Sequence, residues 1–173
     1  MTRFFQPLVT PSHHALAKIL RLDPSKPITA SNEVFSLEQL CATHRHLFAG
    51  TEHDFHAGRL RTLSVHAGSQ SFPLAREVKH LMTQTFLIGL PHPLCVVDWV
   101  VYVLSSIHPF LDGNRRTCWM FANNYLAEQG FYPIDWDGFR PCWEQVVLLA
   151  HEQKMELMWP KLVAFHRDSQ HKP

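Results

Sequence analysis

The stretch His108-Pro-Phe-Leu-Asp-Gly-Asn-Arg-Arg-Thr117 gathers the residue types that move phosphate. His108 is the side chain here that can take a proton near neutral pH. Asp112 is a carboxylate of the kind that holds a divalent cation against phosphate oxygens. Gly113 and Asn114 form a turn, and Arg115 and Arg116 fall in the first turn of the helix expected after it. A helix start offers unbonded N–H groups and the positive end of the dipole, so it is an anion site. Two cations there work mildly against the dipole unless something anionic lies close. Base, metal carboxylate and phosphate cradle together suggest transfer of a phosphate-containing group. Taken singly, the same residues are ordinary: a loop His is commonly structural, and Asp-Gly-Asn is common turn chemistry.

The elements around this stretch are predominantly helical. Ser36 is a candidate N-cap for a helix reaching Phe48, with Leu37, Leu40, Cys41, His44, Leu47 and Phe48 on one face and Gly50 after it. A shorter helix is expected at Ser12 to Leu20, in a Pro-punctuated extension over 1–35. Between Gly58 and Phe72, Leu63 and Val65 alternate with polar residues around Gly68-Ser69, the pattern of a small β-hairpin. Helical spacing resumes through Val78, Leu81, Met82, Thr85 and Phe86. Leu94 to Ile107 is apolar nearly all round and too long for an ordinary strand, so it reads as a central buried helix delivering His108 at its C-terminal end. Beyond the motif, Cys118, Phe121, Ala122 and Tyr125 make one stripe that Gly130 ends. Pro141 to His166 reads as one long amphipathic helix or two shorter ones, with Pro160 a break. The expected fold is mostly α with one small hairpin, the single domain occupying 36–173.

His108-Pro-Phe-x-Asp-Gly-Asn-x-Arg116 resembles the active-site motif H-P-F-x-[DE]-G-N-G-R of the Fic family (the Fic/Doc, or Fido, fold). Thr43-His-Arg-His-Leu-Phe48 and His56-Ala-Gly-Arg-Leu-Arg-Thr62 are similar to the family's upstream segment, and the hairpin falls where the family has its target-docking flap. The resemblance runs roughly from 36 to 135. It implies that ATP or another nucleoside triphosphate is the donor and Mg²⁺ the cofactor, with AMP or another nucleotidyl group passed to a Ser, Thr or Tyr hydroxyl of a target protein. By the same resemblance His108 is the base and Asp112 the Mg²⁺ ligand. Gly113 and Asn114 give backbone and amide contacts to phosphate, Arg115 and Arg116 bind the nucleotide, and Asn123 lies near the base or ribose. The flap would comprise Val65, His66, Gly68, Ser69 and Phe72, aligning the target by backbone pairing. Phe110 is a buried anchor for the loop.

Two positions depart from the family pattern. Arg115 replaces a Gly that lets the backbone approach phosphate closely. Doc-type members carry Lys there and transfer the γ-phosphate, so three outcomes stay open: nucleotidyl transfer, a Doc-like kinase, and a catalytically silent binding module. Trp119 stands where many members have another phosphate-gripping Arg, and it lies close enough to the motif to touch a nucleotide. The family's inhibitory pattern [ST]-x-x-x-E-[GN] has only a defective match at Thr29 to Val34, and self-inhibition by it is not expected.

Composition bounds the partners. With 16 basic and 15 acidic side chains, the formal charge of +1 gives no broad attraction to nucleic acid or anionic lipid, so neither is an expected partner. Cys41, Cys95, Cys118 and Cys142 are widely spaced and read as reduced thiols, consistent with a cytoplasmic setting. The first residues lack the apolar stretch of a secretory signal, and Leu94 to Ile107 is too short to span a bilayer. The thirteen His include the His44, His46, His53 and His56 group, which lacks acidic and Cys partners and is not expected to bind metal. Asp98 is expected to be a buried structural carboxylate. Any antitoxin would be a separate chain; target, biological role and oligomeric state are open.

Overall fold

The computed structural model describes residues 34–67, 70–90, 93–138 and 140–152, together with positions 154, 157 and 161. The expected helix at Ser12 to Leu20, the Thr29–Glu33 part of the defective inhibitory match, flap residues Gly68 and Ser69, Trp159 and the Pro160 break lie outside them.

Helix α1 spans Leu37–Phe48, and Ser36 caps it as its sequence position predicts, its hydroxyl accepting from the Gln39 N–H at 3.2 Å. Leu40, His44 and Phe48 are the buried positions of that face. A 3₁₀ turn, Asp54–His56, follows. Two-residue strands β1 (His66–Ala67) and β2 (Gln70–Ser71) then pair antiparallel, His66 opposite Ser71 and Ala67 opposite Gln70. The hairpin exists, but its paired part is shorter than the alternation suggested. Leu63 is exposed, so no second layer rewards a longer ladder. Helix α2 is Ala75–Ile88, with the Glu77 carboxylate accepting the Leu74 N–H at its start.

The central helix is not uniform. A 3₁₀ turn at Pro93–Cys95 leads into α3, Val96–Tyr102, every residue of which is buried, and the last turn, Val103–Ile107, is a π-helix. There the His108 N–H reaches back to the Val103 carbonyl at 2.8 Å instead of to Leu104. Helices α4 (Asn114–Glu128) and α5 (Arg140–His151) complete the described elements. Helix α4 buries the expected Cys118, Phe121, Ala122 and Tyr125 stripe. It packs on α1 and α3, while α5 lies against α3 and the π turn. Phe35, Phe86, Trp99 and Phe121 join rings at one end of this core, with centroids 4.9 Å apart for Phe35–Phe86 and 5.3 Å for Phe35–Trp99. Asp98 is 2% exposed within α3, as its apolar surroundings implied. The four cysteines are free thiols, and no helix among the described residues is long and apolar enough to cross a membrane.

A helix end leaves carbonyls without intrahelical donors. Here most of that group is satisfied by side chains from elsewhere. Arg61, 2% exposed, donates Nε to the His108 carbonyl (2.8 Å) and Nη2 to the Ile107 carbonyl (3.2 Å). Its other bonds run to the carbonyls of Leu63 (2.9 Å) and Pro73 (2.6 Å), on either side of the hairpin. His151 at the end of α5 donates Nδ1–H to the Ser105 carbonyl at 2.6 Å. Cations suit this pole of the helix dipole. Arg61→Met should lower unfolding free energy by roughly 3 kcal/mol, because several buried carbonyls lose their donor together. Urea denaturation followed by tryptophan fluorescence measures this, and a loss under about 1 kcal/mol would show that water can replace the guanidinium.

Candidate active site

His108 has φ 54°, the one non-glycine residue with positive φ among those described. That conformation turns its ring back over the π turn, where Nδ1 lies 3.1 Å from the Leu104 carbonyl. A carbonyl only accepts, so Nδ1 carries the proton and Nε2 keeps a lone pair. Phe72 stacks on the ring at 4.4 Å and 28°. Burial lowers the His108 pKa below the ordinary imidazole value, opposed in part by the Leu104 bond and aided by the Arg61 charge. Geometry and titration therefore both present a neutral imidazole with a free Nε2.

The loop after His108 is closed by its own polar side chains. The Asn114 carboxamide accepts the Phe110 N–H at 2.8 Å and donates to the Phe110 carbonyl at 2.9 Å. The carboxamide that the resemblance set against phosphate thus commits its oxygen and one of its two N–H groups to shaping the loop. Phe110 is buried and stacks on His44 at 4.0 Å and 15°, the anchor its position predicted. His44 is a determinant the sequence reading placed only on an apolar face. Its Nδ1 accepts the Gly58 N–H at 2.8 Å, so Nε2–H is the donor to the Asp112 carbonyl at 3.2 Å. One buried imidazole thus ties α1 to both the Gly58 turn and the motif loop. Burial is also the main cause that lowers its pKa.

Gly113 has φ 70°, and a Cβ there would overlap the Phe48 ring. The first α4 bond is donated by Thr117 to the Gly113 carbonyl at 2.9 Å, so the N–H groups of Asn114, Arg115 and Arg116 precede the helical ladder. Asp112 is half exposed beside them. Its Oδ1 accepts the Gly113 N–H at 2.6 Å, and Oδ2 lies 3.5 Å from Arg116 Nη2. The Arg116 guanidinium rests 5.1 Å from the Phe48 ring centroid. Arg115 turns the other way, donating Nη1 to Glu144 Oε1 at 2.8 Å and lying 5.3 Å from the Trp119 ring centroid.

These groups meet at one open cavity of about 600 Å³, a size that suits a nucleotide-scale ligand. His108, Asp112, Gly113, Asn114, Arg115 and Arg116 all line it. The opposite wall comes from Trp143, Glu144, Val147 and Leu148 of α5, and Gln70 reaches it from the hairpin. Neither contribution was foreseen; the amphipathic spacing of α5 marked a packed helix without saying which surface it would face. Two expected residues are elsewhere. The Asn123 carboxamide is bonded to Ile134 N–H (2.9 Å), Ile134 carbonyl (3.0 Å) and Trp136 Nε1 (3.0 Å), so it fastens the loop before α5 and stands off the cavity lining. Trp119 lies flat on Trp136, centroids 5.3 Å apart at 5°, where it supports Arg115 rather than the cavity surface. In and beside the hairpin, Phe72 packs on His108, His66 is exposed and Val65 is half-buried.

No group of three or more His, Cys, Asp or Glu among the described residues could cage a metal ion. The exposed carboxylate of Asp112, next to the uncommitted N–H groups at the start of α4, instead fits Mg²⁺, which is commonly held by one or two carboxylates, substrate phosphates and water.

The family model described as the Fic/DOC family matches residues 34–126, from the start of α1 through most of α4. A protein named protein adenylyltransferase Fic from Culex quinquefasciatus is 30% identical over 131 residues, 68% of this chain and 25% of that protein. One of the same name from Nematostella vectensis is 28% identical over 109 residues, 60% of this chain and 25% of its own. A Fido domain-containing protein of Dictyostelium discoideum is 42% identical over 43 residues, 24% of this chain and 30% of its own. The chain therefore spans about a quarter of the length of the adenylyltransferases it matches.

The two lowered imidazoles fix a pH dependence. Unfolded His takes up a proton below about pH 6.5, whereas His44 and His108 resist it while folded. Their contribution is complete above that pH and is lost as pH falls toward their folded-state values. Substituting His44→Phe preserves the stack on Phe110 but removes both hydrogen bonds, at a cost of roughly 1–3 kcal/mol at pH 7.5. It should also flatten the acid slope of stability between about pH 6.5 and 5. Urea midpoints across that range test this; a variant with the parental slope would exclude His44 as a source.

Proposed function

The chain belongs to the Fic/DOC family, and from that premise and the cavity just described we propose that it transfers a nucleoside monophosphate, AMP first, from a nucleoside triphosphate to a Ser, Thr or Tyr hydroxyl of another protein. One observation carries the reading. The only left-handed imidazole among the described residues, its tautomer set by Leu104, shares a cavity with the N-terminus of α4.

Nε2 of His108 takes the proton of the target hydroxyl as the oxygen attacks the α-phosphorus. The new bond is O–Pα; the bond broken is Pα to the bridging oxygen, and pyrophosphate carries away that electron pair. The N–H groups of Asn114, Arg115 and Arg116 and the Arg116 guanidinium stabilise the phosphate charge. Mg²⁺ on Asp112 would neutralise further phosphate charge when bound. The hairpin edge positions an extended target segment by backbone pairing, with Phe72 relating that edge to the base. The names of the adenylyltransferase relatives support this choice of transferred group. The kinase reading finds less support, since the Arg115 guanidinium that suggested it is engaged by Glu144.

ATP labelled at the α- or γ-phosphate, supplied with Mg²⁺ and a proteome lacking the enzyme, separates the alternatives. Label from the α position should reach protein. Arrival of the γ label alone would establish phosphate transfer, and a binding module would transfer neither. His108→Ala should reduce transfer by roughly 10²–10⁴-fold with the fold intact. Because burial lowers the His108 pKa, the rate should hold its plateau through pH 6.5 and fall only in more acid solution. A decline beginning above pH 7 would point to another base.

A further inference from the structure

Glu144 is a second carboxylate in the cavity wall, across from Asp112 and the start of α4. Its Oε1 accepts a hydrogen bond from Arg115 Nη1 at 2.8 Å and lies 3.4 Å from Arg140 Nε, one turn earlier on α5. With Trp119 beneath it, the Arg115 fork is held away from a free swing toward the N-terminus of α4. The charged lining is Asp112 and Glu144 against Arg115 and Arg116, which sums to zero. With Arg140 outside the lining, an entering polyphosphate meets no net side-chain charge in the cavity wall and depends on the start of α4 for attraction. Glu144 occupies one donor of Arg115, and its own charge repels the ligand in proportion to the ligand's charge.

We propose that Glu144 is a specificity-determining residue that sets how many phosphate charges the cavity accepts. It disfavours a bare triphosphate far more than a monophosphate and makes binding depend on a divalent cation that arrives with the ligand. The proposal rests on the reading of this cavity as a phosphate site, but on nothing about which group is transferred. Negative discrimination of this kind needs only a like charge placed where the wrong ligand would lie. The contact could serve a different end, aiming Arg115 at the ligand, and the two roles predict opposite signs.

The full chain and its Glu144→Gln variant are titrated by calorimetry with inorganic tripolyphosphate, pyrophosphate and phosphate, each with and without Mg²⁺. Both ion pairs of Glu144 are solvent-exposed, so the variant should keep the parental melting profile by circular dichroism. Without Mg²⁺ at low salt, tripolyphosphate should bind the variant about tenfold more tightly than the parent, and phosphate within about twofold. Mg²⁺ should narrow the difference, and Glu144→Asp should restore the parental ranking. An equal gain for all three anions, or weaker tripolyphosphate binding by the variant, overturns the proposal and leaves the transfer reading standing. Binding of no polyphosphate to either protein removes the phosphate site itself, and the proposal with it.

Discussion

The arrangement depends on how the buried helix α3 and its π turn end. A helix terminus in an apolar core exposes carbonyl oxygens that water cannot easily reach, and each must find a donor. In this chain the donors include the side chain at the head of the motif. His108 supplies its own N–H to Val103 and its ring to Leu104. Arg61 supplies Ile107 and His108, and His151 supplies Ser105. Satisfying backbone polarity and orienting the imidazole are thus one event. The guanidinium that caps the helix also holds Leu63 and Pro73, so the feet of the hairpin and the motif loop share an anchor.

A second closed circuit shapes the loop. Asn114 returns both ends of its amide to Phe110, Phe110 stacks on His44, and His44 bonds the Asp112 carbonyl. The circuit leaves the start of α4 facing the cavity with its N–H groups uncommitted to the ladder. Gly113 has to be glycine on two grounds, a left-handed backbone and the Phe48 ring against its α-carbon. The apolar side of the loop therefore supports the polar side directly.

Legibility from sequence follows from the range of each interaction. The Ser36 cap, the α4 stripe and the helix after Pro73 rest on neighbours within a turn or two, and local spacing exposed them. The motif was legible because its base, carboxylate and cations are contiguous. The π turn was hidden: its wider hydrogen bond depends on partners such as Arg61 and His151, each more than forty residues away from its acceptor. Asn123 is a related case. The family resemblance put it near a ligand's base or ribose, while its partners lie on a loop whose return no local pattern announces. Glu144 carries no local signal beyond its place in an amphipathic segment, and only the packing of α5 against the π turn brings it to the cavity.

The left-handed backbone at His108 has an evolutionary consequence. An L-residue held there carries roughly 1 kcal/mol of conformational cost that glycine would not. The ring's bond to Leu104 and its stack on Phe72 offset part of that cost, and the rest must be met by selection for what the imidazole does. In lineages released from that pressure, this is the position where erosion should begin, and its identity in any descendant is a ready gauge of whether chemistry is still being maintained.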